Sequence, residues 1–390
     1  MYIRRLAEES LKEILAGNKV GIILGARQVG KTTMVEHVLE GQSALFLNFD
    51  IEVDKARFKA ASALSPVDGM VGLGNPAVLV IDEAQRLPET SRVIKGWFDR
   101  KIDVRFLLLG SSSLDLLDQS AESLTGRNRN LVLPPLIFSE ALATQEWAGA
   151  DSSTDRMREY FSPQLRAYLM LRMNFGSYPE VVTTDNPLRV LRELSSDYLW
   201  KDVLQTGMIK TPELIKRLLM LLAHQVGSEV SVNELANQLQ MARATIERYL
   251  EILEQTFVIF RLPSFSTNPR KEIAKSRKIY FWDTGIRNAI LNAFSVDEFR
   301  PDIGALWENW VIAEVAKRNL LLGSPAELFF WRTRSQAEVD LVVKEGRNLR
   351  GFEIKWSPGR IVGRAFRDAY GVEVEAIRAD NPLATDIFSA

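Results

Sequence analysis

Residues 19–33 read KVGIILGARQVGKTT, an apolar run that breaks into glycine at Gly25 and Gly30 and is followed by Lys31 and Thr32. The spacing GxxxxGK[ST] constrains the fold strongly, because it needs a strand to end in a tight loop whose backbone then enters a helix. The glycines let successive N–H groups curl around phosphate oxygens, and the helix presents its positive end to them. Lys31 can reach the β and γ phosphates and Thr32 can ligate Mg²⁺, so Gly25, Ala26, Arg27, Gln28, Val29, Gly30, Lys31, Thr32 and Thr33 form the candidate nucleotide cradle. ATP and Mg²⁺ are the expected cofactors.

Two further apolar runs fit the same sheet. AVLVIDEAQ (77–85) has four consecutive apolar residues before Asp82 and Glu83, the pattern of a parallel strand buried on both faces. Its carboxyl end is where open α/β sheets bind ligands. Asp82 is therefore expected in the Mg²⁺ shell, and Glu83 as the group that orients or deprotonates an attacking water. VRFLLLGSSS (104–113) reads as another central strand ending in hydroxyls, which equally suit a cap for the next helix. In SLTGRNRNLVLPPLIFSEAL (123–142), Arg127 and Arg129 sit on a loop before a strand, where an arginine can approach a phosphate of a neighbouring subunit or stay solvated.

GARQVGKTT, VLVIDEAQ, FLLLGSSS and TGRNRNLVLPPLIFSEAL together resemble the bacterial and archaeal AAA-type P-loop ATP-binding proteins that carry a second domain at the carboxyl end. The resemblance continues through FGSYPEVV (175–182), YLWKDVL (198–204) and NPRKEIAKSRKIYFWDTGIRNAIL (268–291), nearly the whole chain. It implies ATP binding and hydrolysis, and a γ-phosphate sensor at Ser111, with Ser112 its competitor. It also suggests a homo-oligomeric ring, in which Arg127, with Arg129 its alternative, is the candidate to reach a neighbour's phosphate.

Beyond residue 145 the pattern turns helical. RMREYFSPQLRAYLMLRM and PLRVLRELSSDYLWKDVLQ have helix periodicity around a turn at SYP. PELIKRLLMLLAHQVG, SVNELANQLQ and MARATIERYLEILEQ then give three helices, the second starting at Ser231 with Glu234 three residues on, and FVIFRLPSF gives a strand. That order reads as a winged helix-turn-helix, with Arg243, Thr245 and Arg248 on the recognition helix. Such modules also pack against protein. STNPRKEIAKSRK carries Arg270, Lys271, Lys275, Arg277 and Lys278 against Glu272 alone, a local excess able to neutralise phosphates or to sit in solvent. KIYFWDTG reads as a strand folding back on the wing.

GALWENWVIAEVAKRNLL is helix-like, and ELFFWRT, AEVDLVV and RGFEIKW follow as strands, then a helix over 360–370 and the strand VEVEAIR. This order and these acids resemble restriction-endonuclease-like folds: Asp340 on the second strand, Glu353 and Lys355 as ExK on the third, and Glu308 on the helix. Strand period two puts Glu353 and Lys355 on one face. Asp340, Glu353 and Glu308 are the expected ligands of a hard cation, with Lys355 beside its bound water. An ordinary same-face charge pair has the same sequence.

Composition narrows the chemistry. The 390 residues are 46% apolar and 25% charged, with net charge -1, no cysteine and only His37 and His224 as histidines. Thiolate zinc sites and disulfides are excluded, and catalysis falls to carboxylates, lysines, arginines and hydroxyls. No apolar run approaches membrane-span length and the first residues lack a secretory pattern, so a cytoplasmic protein without membrane contact is expected. The expected architecture is α/β: a P-loop core (1–145) with a parallel sheet, a helical subdomain (146–210), a winged helix (211–265) and a restriction-endonuclease-like domain (266–390). The expected function is Mg²⁺-dependent ATP hydrolysis coupled to binding, and possible cleavage, of duplex or branched DNA. The alternative is a nucleotide-dependent switch whose last domain is an inactive interaction module.

Overall fold

The computed structural model describes residues 1–111, 124–149, 154–198, 212–266, 277–333 and 335–388. They divide into two compact units, residues 2–134 and 135–390. Among the described residues no helix is long and apolar enough to cross a membrane.

The amino-terminal unit is built on a five-stranded, wholly parallel sheet with the order β2-β3-β4-β1-β5: β1 (Val20–Leu24), β2 (Ala44–Asn48), β3 (Val78–Asp82), β4 (Arg105–Gly110) and β5 (Asn128–Val132). This is the α/β sheet of a P-loop NTPase. β1 is buried along its whole length, and β3 is buried up to Asp82. A strand packed on both faces can carry polar side chains only at its ends, so the carboxyl ends of β1, β3 and β4 collect the polar groups. Each fully buried Val, Leu or Ile here contributes about 1.5–3 kcal/mol.

The second unit contains two sheets. Helices Pro212–His224, Val232–Leu239 and Arg243–Gln255 accompany a three-stranded antiparallel sheet of order β6-β8-β7: β6 (Glu229–Val230), β7 (Ile259–Pro263) and β8 (Arg277–Phe281). Ser231 starts the second of these helices by accepting the Glu234 N–H at 3.3 Å. The other sheet is mixed, with order β12-β11-β10-β9: β9 (Glu327–Arg332), β10 (Glu338–Glu345), β11 (Asn348–Lys355) and β12 (Val374–Arg378). β11 runs parallel to β12, while the β9–β10 and β10–β11 pairs are antiparallel. Phe265, Phe329, Trp331, Val339, Val342, Phe366 and Val374 form one core beside it. The last helix is Arg364–Tyr370, four residues shorter at its start than expected.

The segment after β5 packs with the second unit from residue 135, where buried groups hold it. The Phe138 N–H bonds to Glu314 at 2.6 Å, Lys317 donates to the Leu136 carbonyl at 3.2 Å, and the Leu136 N–H meets the Ser177 carbonyl at 2.9 Å. Likewise β8 pairs with β7 and β6, so residues 277–281 belong with the three-stranded sheet and not beyond a break at 265/266.

Asp283 ties two of the family-like motifs together. It starts the helix Thr284–Leu291 by accepting the Ile286 N–H at 3.1 Å, and it also takes the Ser177 N–H at 2.6 Å. Burial pushes its carboxyl above the usual carboxylate range, against Lys317 and the N–H groups of Ser177, Ile286 and Gly285. Gly176 is required at this contact. Its φ is +75°, and a Cβ there would lie 1.9 Å from the Asp283 Oδ1. Gly176→Ala is therefore expected to lower the thermal transition of the second unit by roughly 5 °C or more. Gly96→Ala, whose Cβ would meet nothing within 4 Å, should not lower the unfolding temperature when both are followed by circular dichroism.

Candidate nucleotide site and carboxyl-terminal carboxylate cluster

The loop after β1 runs into the helix Lys31–Val38, and its backbone takes conformations that a strand or helix would not allow. Gln28 has φ 60° and Gly30 φ 88°. A Cβ on Gly25 would fall 2.2 Å from the Leu133 carbonyl oxygen, so the loop can approach that chain only with glycine. Arg5, 4% exposed, braces the arrangement by donating to the Val29 carbonyl at 2.8 Å and the Pro134 carbonyl at 2.7 Å. Sequence reading missed it. A lone arginine before the first helix carries no local signal of where its guanidinium goes.

Lys31 is buried and donates to the carbonyls of Gly25 at 2.7 Å and Ala26 at 2.9 Å. Its ammonium thus lies against the loop it is expected to serve. The Thr32 hydroxyl donates to Asp82 Oδ2 at 2.6 Å, which brings the two expected Mg²⁺-site residues into direct contact across 50 positions of sequence. A hydroxyl and a carboxylate are oxygen donors of the kind Mg²⁺ accepts alongside phosphate and water, so these residues fit the ion.

Glu83 lies next to this pair with φ 51°, a left-handed conformation uncommon for a non-glycine residue and most often found at sites where a side chain must be aimed. Gln85 donates to Glu83 Oε2 at 2.6 Å. The Ser111 hydroxyl contacts the same oxygen at 3.4 Å and also accepts from Gln85 at 3.4 Å, while the Arg27 guanidinium lies 4.0 Å from it. The ends of β3 and β4 and the phosphate loop therefore converge on one carboxylate. Gln85 was not anticipated as part of this group; its place two residues past Asp82 and Glu83 was the available signal. Ser112 lies outside the described residues.

Arg127 and Arg129 stand elsewhere. Both precede or open β5 at its amino-terminal end, and the Arg127 carbonyl accepts the N–H of Val20 at the start of β1. With about 3.3 Å per residue, a five-residue strand sets them roughly 16 Å from the phosphate loop of the same chain. They are paired at the surface, Arg127 with Asp99 at 2.7 Å and Arg129 with Glu13 at 2.6 Å.

In the second unit, β10 and β11 form the expected hairpin, with Leu341 opposite Phe352. The pairing of β10 with β9 shifts register between Val339 and Val342, the stretch that holds Asp340 and Leu341. Asp340 Oδ2 accepts the Ile354 N–H at 2.7 Å. Glu353 instead pairs with Lys355 at 2.7 Å and accepts the Val362 N–H at 2.6 Å. Glu308 accepts from Lys278 at 3.0 Å and from the Tyr280 hydroxyl at 2.7 Å, and Lys278 also pairs with Glu338 at 2.6 Å.

The hydrogen bonds thus divide the acids into two sets. Among the described residues no group of three or more Asp, Glu, His or Cys side chains is arranged to hold a metal ion. The expected set of Glu308, Asp340 and Glu353 does not fit one here. Glu353 and Lys355 do share a face, as the strand period requires, and their 2.7 Å contact occupies that carboxylate. Burial, reinforced by Glu308, pushes the Asp340 carboxyl up to about 7, against the Ile354 N–H and Lys278. Burial alone would lower the Lys278 ammonium, but Glu308 and the Glu338 contact hold it above its ordinary value. The bond to Glu353 raises Lys355.

Lys278 was read as part of a basic surface run, yet it is 2% exposed, while its neighbour Arg277 is exposed. Strand alternation within β8 separates them. Arg270, Lys271 and Lys275 lie outside the described residues. Arg243 and Arg248 are exposed on the helix Arg243–Gln255, with Arg243 paired to Glu247 at 3.1 Å, and Thr245 is half-buried.

Comparison with known proteins agrees with the amino-terminal geometry. A family model described as AAA domain matches residues 17–142, and models described as domains of unknown function DUF8612 and DUF4143 match 166–297 and 303–378. Uncharacterized protein Rv2008c of Mycobacterium tuberculosis is 32% identical over 374 residues, covering 94% of this chain and 77% of its own. Uncharacterized protein MJ1544 of Methanocaldococcus jannaschii is 26% identical over 385 residues, covering 94% and 81%. The solved Walker-type ATPase PABY2304 of Pyrococcus abyssi superposes with a TM-score of 0.50 over 75% of this chain and 96% of that one, at 14% identity, a likeness of fold. With its P-loop AAA domain at 17–142 and its DUF4143 domain at 303–378, the chain belongs to the family of the mycobacterial protein Rv2008c.

Proposed function

We propose that the chain is a Mg²⁺-dependent ATP hydrolase that uses nucleotide state to switch its carboxyl-terminal unit. The observation that carries this reading is the convergence of Gln85, Ser111 and Arg27 on Glu83, beside the bonded pair Thr32 and Asp82. In this reading the amides of residues 25–33 receive the phosphates, and Lys31 exchanges its loop carbonyls for β and γ oxygens. Thr32 and Asp82 would hold Mg²⁺, which when bound would neutralise charge on the transferring phosphoryl group. Glu83 orients a water in line with the γ phosphorus and takes its proton, while Ser111 reports through Glu83 whether that phosphate is present. Arg127 is too far from its own phosphate loop, so a role at the γ phosphate would require a second copy of the chain. Lys31→Ala is expected to lower ATP turnover at least 100-fold by removing the main cation on the transferring phosphate. Unchanged phosphate release would overturn the assignment.

A second reading concerns the middle of the chain. The order helix, β6, helix, helix, β7, β8 with the sheet order β6-β8-β7 supports a winged helix whose third helix exposes Arg243 and Arg248. Duplex or branched DNA is the ligand that suits such a face. Replacing both arginines with alanine should weaken duplex binding roughly tenfold at moderate salt and reduce the salt slope by about 2, measured by fluorescence anisotropy at two salt concentrations. Retained affinity and slope would remove this helix from the contact.

The order helix, β9, β10, β11, helix, β12 likewise supports a restriction-endonuclease-like core for residues 303–378. We assign it no cleavage step, because the carboxylates do not assemble a metal site. This favours the interaction-module reading of the last domain.

A further inference from the structure

We infer that the ammonium of Lys278 is the resident cation of the Glu308, Glu338 and Asp340 cluster, delivered by the three-stranded sheet in the place where a nuclease-like domain would bind a divalent metal. The inference rests on the endonuclease-like reading of residues 303–378 and is independent of the ATPase.

Four observations support it. Lys278 lies in the strand shared by both neighbours of its sheet, opposite Glu229 in β6 and Leu262 in β7, so its main chain is pinned on two sides. Its side chain is 3% exposed and contacts Glu308 at 3.0 Å and Glu338 at 2.6 Å. Two residues on, and therefore on the same face of the strand, Tyr280 donates to the same Glu308 oxygen at 2.7 Å. The backbone at Gly227 closes over the carboxylate, since a Cβ there would lie 3.2 Å from each Glu308 oxygen.

Arg332 completes the neutralisation by bridging Glu229 at 3.0 Å and Glu338 at 3.7 Å. Glu308 and Glu338 therefore already have cationic partners. A divalent ion entering beside Glu308 would face an ammonium held 3.0 Å from that carboxylate in a poorly solvated site, where like charges repel strongly. Lys278 faces inward from β8, so its ammonium reaches water only by breaking both carboxylate contacts. The three-stranded sheet is thus part of this site, and the last domain stays without metal while that sheet is docked.

The test is a Mn²⁺ titration of the full, nucleotide-free chain followed by electron paramagnetic resonance, which counts bound ions and needs no activity. Wild type and Asp340→Asn should bind Mn²⁺ equally, with no ion dependent on Asp340. Lys278→Met removes the ammonium while keeping an unbranched apolar stem, and should gain a single Mn²⁺ that the further change Asp340→Asn abolishes. A bound ion in wild type that Asp340→Asn removes would overturn the inference. So would a folded Lys278→Met chain that gains none. Should Lys278→Met fail to fold, Lys278→Gln takes its place, with the same Asp340-dependent gain expected and its absence in a folded chain overturning the inference. Because nucleotide is absent, these outcomes leave the ATPase assignment untouched, and loss of turnover in a phosphate-loop variant would not mimic them.

Discussion

The 2.6 Å bond from the Thr32 hydroxyl to Asp82 joins the helix after β1 to the end of β3, and the nucleotide site is organised around it. It forms because a parallel strand buried on both faces has nowhere to place polar side chains except its end. With β1 and β3 on either side of β4, three such ends lie next to one another. Glu83 is then aimed by its own left-handed backbone and by Gln85, while Arg5 and the missing Cβ of Gly25 fix the loop from behind. The arrangement of side chains at these strand ends is a consequence of how little freedom a two-sided sheet leaves.

In the second unit the governing constraint is the cost of charge away from water. A buried ion pair is weak evidence for stability in itself, but removing one partner leaves a charge that nothing nearby can solvate. Asp283 answers this with backbone N–H groups of two segments, Glu314 with Phe138 and Lys317, and Glu308 with Lys278 and Tyr280. Each solution also fixes which segments must lie together. The charge that neutralises Glu308 is covalently part of the chain and cannot be exchanged with solvent.

Much of this was legible in the sequence, for identifiable reasons. The phosphate loop, the DE pair after VLVI and the serine after FLLLG are local patterns tied to strand ends, and all three strands formed as read. The strands of the last domain were also recognisable from their apolar runs. What escaped depends on pairing between distant residues. Lys278 sits in a run rich in lysine and arginine, and only its register beside Glu229 and Leu262 turns it inward. The register shift between Val339 and Val342 has no residue signature, and the bond from the Ile354 N–H to Asp340 lies beside it. Arg5 and Gln85 act across 129 and 26 positions, beyond any local window.

The central claim is that Glu83 does the chemistry at a site that other residues build. Separate measurement of ATP affinity and single-turnover hydrolysis in Glu83→Gln tests it most directly, because glutamine keeps the shape and the contact with Ser111 but cannot accept the water proton. The account predicts ATP affinity within about threefold of wild type and hydrolysis slowed by roughly 100-fold or more. Hydrolysis at the wild-type rate with affinity unchanged would contradict it.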